Sequence, residues 1–405
     1  MIGDAQERWR ETFGYARKHS PFYREWLRKF RKAPALEKIR PIDKAIVSRR
    51  NLDFVAVPRE RIVEMVTTSG TTGQPLVWML TDSDLQRLGA NERMSFQCAG
   101  LSARDNVLVA VSMDRCFIAG LAYWLGLREL GCGTARVGAA SPTLAIEMIK
   151  LIAPSAIVAV PSFLRLIAEK ARELKFDLKK SSLQKAICIG EPIRDRTLAL
   201  NATGAEIEKS FGAQLYSTYG VTELANSLCE CDAGAGGHLH AEHLYLEALD
   251  DNDQPVEQGE VGEIVATTFG VEGMPLIRYR TGDCASLNFA PCACGRTTPR
   301  IGPIVGRKNQ RLKYKGASLF PSTLQSALEN TIGVDSYVIV ARADSELSDS
   351  IEVLVHGSAT AKSLRERLQG HSKIAPQIRH ASRQEIETLQ MPPQARKRRT
   401  FVDLR

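Results

Sequence analysis

The chain has 405 residues, 44% hydrophobic and 25% charged, proportions that exclude a disordered, collagen-like or fibrous protein and leave room for two domains. No apolar run approaches the roughly 20 residues of a membrane-spanning helix, and the charged opening residues 1–8 hold no apolar signal core, so a cytoplasmic protein with no membrane partner is expected. The net charge of +8 is scattered apart from Arg396, Lys397, Arg398 and Arg399, which suits polyanionic small molecules and argues against nucleic acid as a partner.

Residues 62–66 (Ile-Val-Glu-Met-Val) and 76–80 (Leu-Val-Trp-Met-Leu) predict a strand and its return strand. Between them stand Thr67, Thr68, Ser69, Gly70, Thr71, Thr72, Gly73, Gln74 and Pro75. Two glycines and several hydroxyls leave backbone N–H groups uncovered, so this loop can wrap anionic oxygens. It is not a Walker loop, because no Gly-Lys-Ser/Thr follows. Taken by composition alone, a polar hairpin turn reads equally well.

From about residue 105 to 260, short apolar runs alternate with helical spacing. Residues 106–112, 155–160, 185–190 and 214–219 read as strands, with helices over 117–129 and 163–168. Such alternation predicts an α/β fold: a large N-terminal domain of mostly parallel sheets with flanking helices, binding ligands at the carboxyl ends of the strands. Beyond Gly306 the pattern changes. Short strands at 336–343 and 351–357 and a helix at 361–369 predict a small α+β C-terminal domain. The expected division is 1–305 and 306–405.

Further motifs follow the loop in order: Gly190-Glu191-Pro192, Tyr219-Gly220-Val221-Thr222-Glu223, Arg278-Tyr279-Arg280-Thr281-Gly282-Asp283, Gly306-Arg307, and the segment from Pro392 to Lys397. With Ser69-Gly70-Thr71-Thr72-Gly73-Gln74-Pro75, and with His19 to Arg24 and Phe54 to Glu60 upstream, the chain resembles the phenylacetate–coenzyme A ligase family of adenylate-forming enzymes. The resemblance spans nearly the whole sequence. It implies ATP-dependent activation of a carboxylic acid as an acyl-adenylate, followed by transfer to coenzyme A, and a homodimer.

By that resemblance, Ser69, Gly70, Thr71, Thr72 and Gly73 hold phosphate, and Gly190, Glu191, Pro192, Tyr219 and Gly220 hold adenine. Thr222 meets the α-phosphate, Glu223 holds Mg2+, Asp283 takes the ribose hydroxyls, and Arg307 reaches the ribose or phosphate side. Lys397 is the expected catalytic cation of adenylation, since a mobile ammonium can bridge carboxylate and phosphate as charge builds. Cys116, Phe117, Trp124 and Ser217 are the expected lining of the acid pocket, for an aryl or arylacetic acid. Three positions depart from the family pattern: Gln74 and Leu76 where a lysine is frequent, Gln310 at the hinge, and Arg396 in place of a glycine. They keep two rival readings open, transfer to a carrier-protein thiol or an amine, and a non-catalytic nucleotide-binding relative.

Nine cysteines without a secretory signal favour metal binding or burial over disulfides. Cys229-Glu230-Cys231, His238, His240 and Cys292-Ala293-Cys294 offer Cys/His pairs for a tetrahedral Zn2+. Some members of the family bind zinc through similar segments, and the resemblance selects Cys231, His238, Cys292 and Cys294, with Cys229 in reserve. Cys98, Cys116, Cys132, Cys188 and Cys284 are expected in the core.

Overall fold

The computed structural model describes residues 4–68, 76–314, 317–345, 348–372, 374–392 and 399–405. Ser69, Gly70, Thr71, Thr72, Gly73 and Gln74 of the expected phosphate loop, and Arg396 and Lys397, lie outside the described residues. The chain divides into two units, Met1–Pro303 and Ile304–Arg405.

The first unit opens with α1 (Asp4–His19), α2 (Pro21–Trp26) and α3 (Lys44–Arg49). Trp9, Phe13 and Ala16 recur at helical spacing and are buried, which gives α1 its inner face. β1 (Ile62–Thr67) and β2 (Val77–Thr81) form the expected antiparallel pair around the loop, and α4 (Asp82–Cys98) follows directly. A reciprocal capping box starts α4: Thr81 Oγ1 accepts from the Asp84 N–H at 3.1 Å, and Asp84 Oδ2 accepts from the Thr81 N–H at 3.0 Å. Such a cap contributes about 1 kcal/mol.

Then come β3 (Asn106–Ala110), α5 (Ile118–Leu130), β4 (Gly133–Arg136), α6 (Pro142–Ile152), β5 (Ala156–Ala159), α7 (Pro161–Glu173), β6 (Lys185–Ile189), α8 (Ala202–Phe211), β7 (Gln214–Val221) and β8 (Asn226–Cys229). The strands lie in the order β4-β3-β5-β6-β7-β8, all parallel except the last pair. All four residues of β5 are buried because both faces are covered. Ile146, Leu164 and Phe211 cover one face, from α6, α7 and α8; Phe96 and Tyr123 cover the other, from α4 and α5. Each such apolar side chain contributes roughly 1.5–3 kcal/mol on burial.

The second sheet of this unit was not read from the sequence. β9 (Gly237–His238), β10 (Leu244–Leu249), β11 (Val261–Thr268), β12 (Tyr279–Asn288) and β13 (Arg300–Ile301) pair in the order β10-β11-β12-β13-β9. The α/β class stands, but this sheet is antiparallel throughout rather than parallel. The segments that join β10, β11, β12 and β13 carry no crossover helix, as an antiparallel pairing allows.

The second unit holds β14 (Gly306–Arg307), β15 (Leu312–Tyr314), β16 (Ala317–Leu319), α9 (Pro321–Glu329), β17 (Val334–Ser345), β18 (Ser348–Gly357), α10 (Ala361–Ser372), β19 (Gln377–His380), α11 (Arg383–Gln390) and β20 (Phe401–Asp403). Its four-stranded sheet runs β19-β18-β17-β20, with the long β17–β18 hairpin at the centre. Leu324, Leu328, Leu364 and Leu368 of α9 and α10 cover one face, and Ile386 of α11 covers the other. The chain on either side of residues 393–398 is tied together where the Arg399 N–H donates to the Gln390 carbonyl at 3.1 Å.

Candidate functional site

Two of the sequence motifs sit at the tips of the two large sheets of the first unit, and side chains from one meet side chains from the other. β7 ends in Tyr219-Gly220-Val221, and Thr222–Leu224 form a single 3-10 turn closed by Ala225 in the left-handed region at φ 45°. β12 begins at Tyr279. The register of β11 against β12 slips at this point, with Val265 opposite Arg280 and Glu263 opposite Cys284. Gly282, at φ 76°, makes that bulge possible, since a side chain is disfavoured there. Thr281 Oγ1 donates to the Ile264 carbonyl at 2.9 Å and accepts from the Asp283 N–H at 3.1 Å, which fixes the bulge from both sides.

The result is a pair of cross-sheet hydrogen bonds. The Tyr219 hydroxyl donates to Asp283 Oδ2 at 3.0 Å, and the Tyr279 hydroxyl donates to Glu223 Oε1 at 3.2 Å. Both carboxylates are sheltered, Glu223 at 5% exposure and Asp283 at 7%. Glu223 also meets a cation that the sequence reading missed: Lys44 Nζ lies 3.3 Å from its Oε1. Lys44 opens α3, whose cap Asp43 accepts from the Ile46 N–H at 2.8 Å. The preceding residue is pinned to β12, for the Ile42 N–H donates to the Arg278 carbonyl at 2.9 Å and the Arg280 N–H to the Ile42 carbonyl at 2.8 Å. Main-chain pairing therefore delivers Lys44 to Glu223.

The arginines of the Arg278–Asp283 motif have structural partners. Arg278, left-handed at φ 48°, donates from Nε and Nη2 to the two oxygens of Glu247 at 3.0 and 2.9 Å and from Nη1 to the Glu37 and Ile39 carbonyls. Arg280 pairs with Glu263 and Asp253. The upstream Ser20-Pro21-Phe22-Tyr23 segment is tied to the residues just ahead of β12. Ser20 caps α2, and the buried Tyr23 hydroxyl accepts from the Ile277 N–H at 2.9 Å.

Gly190 (φ 70°) closes β6 at its carboxyl end, and Glu191 turns away to receive the Ser162 N–H and hydroxyl at 2.8 and 2.7 Å at the start of α7. The Pro192 carbonyl accepts from Asn201 Nδ2 at 2.9 Å. Arg194, just beyond, places its Nε 2.7 and 2.8 Å from the two oxygens of Glu230, which also accepts from the Ser217 N–H at 2.9 Å. Ser217 is thus held by its main chain between the β6 turn and β8.

The other expected acid-lining residues divide. Cys116 is exposed, not in the core as its apolar neighbours had suggested, because residues 115 and 116 are both left-handed, at φ 58° and 53°, and turn the chain outward ahead of α5. Its carbonyl is tied to β1 by the Thr67 N–H at 2.8 Å. Phe117 packs against the core beneath α4 and α5. Trp124 lies 5.7 Å from the guanidinium groups of both Arg128 and Arg136, a packing role on the helix surface. Arg307 is exposed on the second unit.

A second constellation lies in the first unit. Cys231, His238, Cys292 and Cys294 present ligand atoms all within 4.8 Å of one another. Cys231 Sγ is 3.6 Å from Cys292 Sγ and 3.4 Å from His238 Nε2, which is 3.6 Å from Cys294 Sγ. A tetrahedron with Zn–S near 2.3 Å and Zn–N near 2.0 Å has edges of about 3.5–3.8 Å, close to these three separations. His238 Nδ1 sits 3.0 Å from Thr298 Oγ1, the outer partner that orients a ligating imidazole. Burial pushes His238 down to about 4, which keeps it neutral. At Cys294, burial pushes the thiol up, but donors from the Arg296 main chain and guanidinium outweigh it and bring it down to about 7. The reserve residue Cys229 belongs elsewhere, accepting from the Thr218 hydroxyl at 3.2 Å, and His240 Nε2 faces Ser95 Oγ at 3.1 Å.

Comparison with known proteins shows the family. Residues 18–272 match the AMP-binding enzyme family. The chain is 30% identical to the phenylacetate–coenzyme A ligase of Thermus thermophilus over 360 residues, covering 85% of this chain and 79% of that enzyme. It is 30% identical to the Escherichia coli enzyme of the same name over 325 residues, covering 79% and 71%. Among solved structures, a 2-hydroxyisobutyryl-CoA ligase in its postadenylation state superposes with a TM-score of 0.84 at 20% identity, over 99% of this chain and 89% of that one. On these grounds the chain belongs to the AMP-binding, adenylate-forming enzyme family, as a relative of the phenylacetate–coenzyme A ligases.

Proposed function

We propose that this protein joins a carboxylic acid to AMP at the expense of ATP and then transfers the acyl group to coenzyme A. The observation that supports the reading is the cross-sheet pairing of Tyr219 with Asp283 and of Tyr279 with Glu223, which brings the Tyr219–Glu223 and Arg278–Asp283 motifs side by side. In the first step a substrate carboxylate oxygen attacks the α-phosphorus, the P–O bond to the β-phosphate breaks, and pyrophosphate leaves. In the second, the coenzyme A thiolate attacks the acyl carbon and AMP departs.

Each side chain then has a task. Tyr219 offers its ring to adenine, and its hydroxyl orients Asp283 toward the two ribose hydroxyls. Glu223 is the carboxylate for Mg2+, and the donor set fits: one buried acid beside the hydroxyl of Thr222, with the remaining positions left to phosphate and water. Mg2+ supplies charge neutralisation at the phosphates when bound. Lys44, paired with Glu223, is the cation that would meet the phosphates, offsetting the lysine replaced by Gln74 and Leu76. Lys397, by family resemblance, supplies the second cation during adenylation. Gly190, Glu191 and Pro192 flank the adenine, and Cys116, Phe117 and Ser217 border the acid, for which an aromatic acid is proposed from the relatives' substrate. The Cys231, His238, Cys292 and Cys294 set is proposed as a structural zinc site. A homodimer is proposed from the family resemblance alone. No helix among the described residues is long and apolar enough to cross a membrane.

The test is a panel of aryl, arylacetic and short aliphatic acids, each with ATP and Mg2+, scored for acid-dependent pyrophosphate release and then for thioester with coenzyme A. Release that needs an aromatic acid, followed by thioester, supports the whole reading. Release followed by acyl transfer only to an amine or a carrier protein replaces the acceptor. No release with any acid removes the reading.

A further inference from the structure

Arg87 is a buried cation that neither the motifs nor the reaction scheme explains. It projects from α4, is 7% exposed, and has no carboxylate within ion-pair distance among the described residues. Its guanidinium is satisfied by three main-chain carbonyls from three separate segments. Nε donates to Phe269 O at 2.7 Å, Nη1 to Ala225 O at 3.1 Å, and Nη2 to His243 O at 2.6 Å.

Those three carbonyls belong to both sheets. Ala225 closes the turn that carries Thr222 and Glu223 on the first sheet. His243 immediately precedes β10, and Phe269 immediately follows β11, on the second sheet; the Phe269 N–H also donates to the His243 carbonyl at 2.8 Å. Burying a charge without a directly paired carboxylate is costly, and burial, partly offset by the more distant Asp84, lowers the Arg87 pKa to about 10, so the group stays charged at neutral pH while bearing that cost. An apolar residue of like volume would fill the space without it. What only a planar fork of donors can do is hold three carbonyls at fixed mutual angles. One of the three, Ala225 O, belongs to a residue in the left-handed region that a non-glycine residue enters at a cost, so it needs an external hold.

We propose that Arg87 is a positioning residue for adenylation: it sets the span between the two sheets and thereby aims the Thr222–Glu223 turn at the Mg2+-bound phosphates facing Tyr279 and Asp283. The inference rests on the reading of Glu223 as the Mg2+ carboxylate. Arg87 touches no reacting atom; it acts through the Ala225 carbonyl, two residues from Glu223.

The test compares Arg87→Met and Arg87→Lys with the unaltered protein. Three quantities are measured: acid-dependent ATP–pyrophosphate exchange as a function of Mg2+, calorimetric binding of ATP with and without Mg2+, and the melting midpoint. The expected result for Arg87→Met is about a tenfold rise in half-saturating Mg2+ and a 10- to 100-fold fall in kcat for exchange, as for loss of an outer residue that orients a metal ligand. The Mg2+-dependent part of ATP binding weakens, and the Mg2+-free part does not. Arg87→Lys recovers melting, because charge and one carbonyl contact persist, but not the Mg2+ response, because an ammonium cannot span three carbonyls. Should Arg87→Met fail to fold, Arg87→Lys decides alone. The proposal is overturned if Arg87→Lys recovers both stability and Mg2+ response, or if folded Arg87→Met exchanges like the unaltered protein. Unaltered protein that neither exchanges nor binds Mg·ATP overturns the underlying reading, and the inference with it.

Discussion

Glu92 gives a prediction whose size can be worked from the structure. Its carboxyl is sealed between α4, α5 and β8 with no cation paired to it among the described residues, accepting from the Ser227 hydroxyl at 2.5 Å and from Asn91 Nδ2 at 3.2 Å. Gly126 of α5 packs so closely over it that an added Cβ would stand 2.3 Å from Glu92 Cβ. Burial, partly offset by those two donors, raises the carboxyl from an ordinary 4.5 to about 7. Below pH 4.5 the group is protonated folded or unfolded and costs nothing. Between 4.5 and about 7 only the unfolded chain ionises, so stability falls as pH rises, and above 7 the loss is constant at about 3 kcal/mol. Glu92→Gln, which mimics the protonated carboxyl, removes that loss. Melting midpoints of the two proteins should separate progressively from pH 5 to 7, with the variant higher by on the order of 5 °C at pH 8. Curves that run parallel over pH 5–8, or a variant less stable at pH 8, would refute the reasoning.

Other expectations follow from the same geometry. Lys44→Met removes the cation beside Glu223 and should raise KM for ATP and slow exchange about tenfold or more, with Lys44→Arg recovering part of it; unchanged kinetics would dismiss Lys44. Tyr219→Phe removes the donor that orients Asp283, and should weaken ATP binding about tenfold by calorimetry without altering the melting midpoint beyond a degree or two. Protein purified without chelator should carry about one equivalent of zinc by elemental analysis, lost in Cys231→Ser, with a lowered melting midpoint. Retention of full metal by that variant would place the zinc elsewhere.

The sequence exposed those parts of the fold whose physics is local. Strands β3, β5 and β6 are nearly continuous apolar runs because helices cover both their faces, and their limits, with those of the more polar β7, were read within a few residues. The second sheet was hidden because the bulge at Thr281 to Asp283 breaks the two-residue alternation by which β12 would have been recognised. The Cys231, His238, Cys292 and Cys294 set was legible because few residue types make good zinc ligands, and their loops are short. Lys44 and Arg87 were not. Each looks like an ordinary surface cation near a helix start, and its partner is set only by the meeting of distant segments. Cys116 misled for the opposite reason: its neighbours are apolar, yet two consecutive left-handed residues turn it outward.

The central claim is that Glu223 and Asp283, brought together by Tyr279 and Tyr219, serve one bound acyl-adenylate. The most direct measurement is native mass spectrometry of the protein after incubation with ATP, Mg2+ and an aryl acid in the absence of any thiol. The account predicts a retained mass equal to the acid joined to AMP, absent in Glu223→Gln and discharged by coenzyme A. Detection of intact ATP alone under every acid tried, with the Glu223→Gln protein behaving identically, would contradict it.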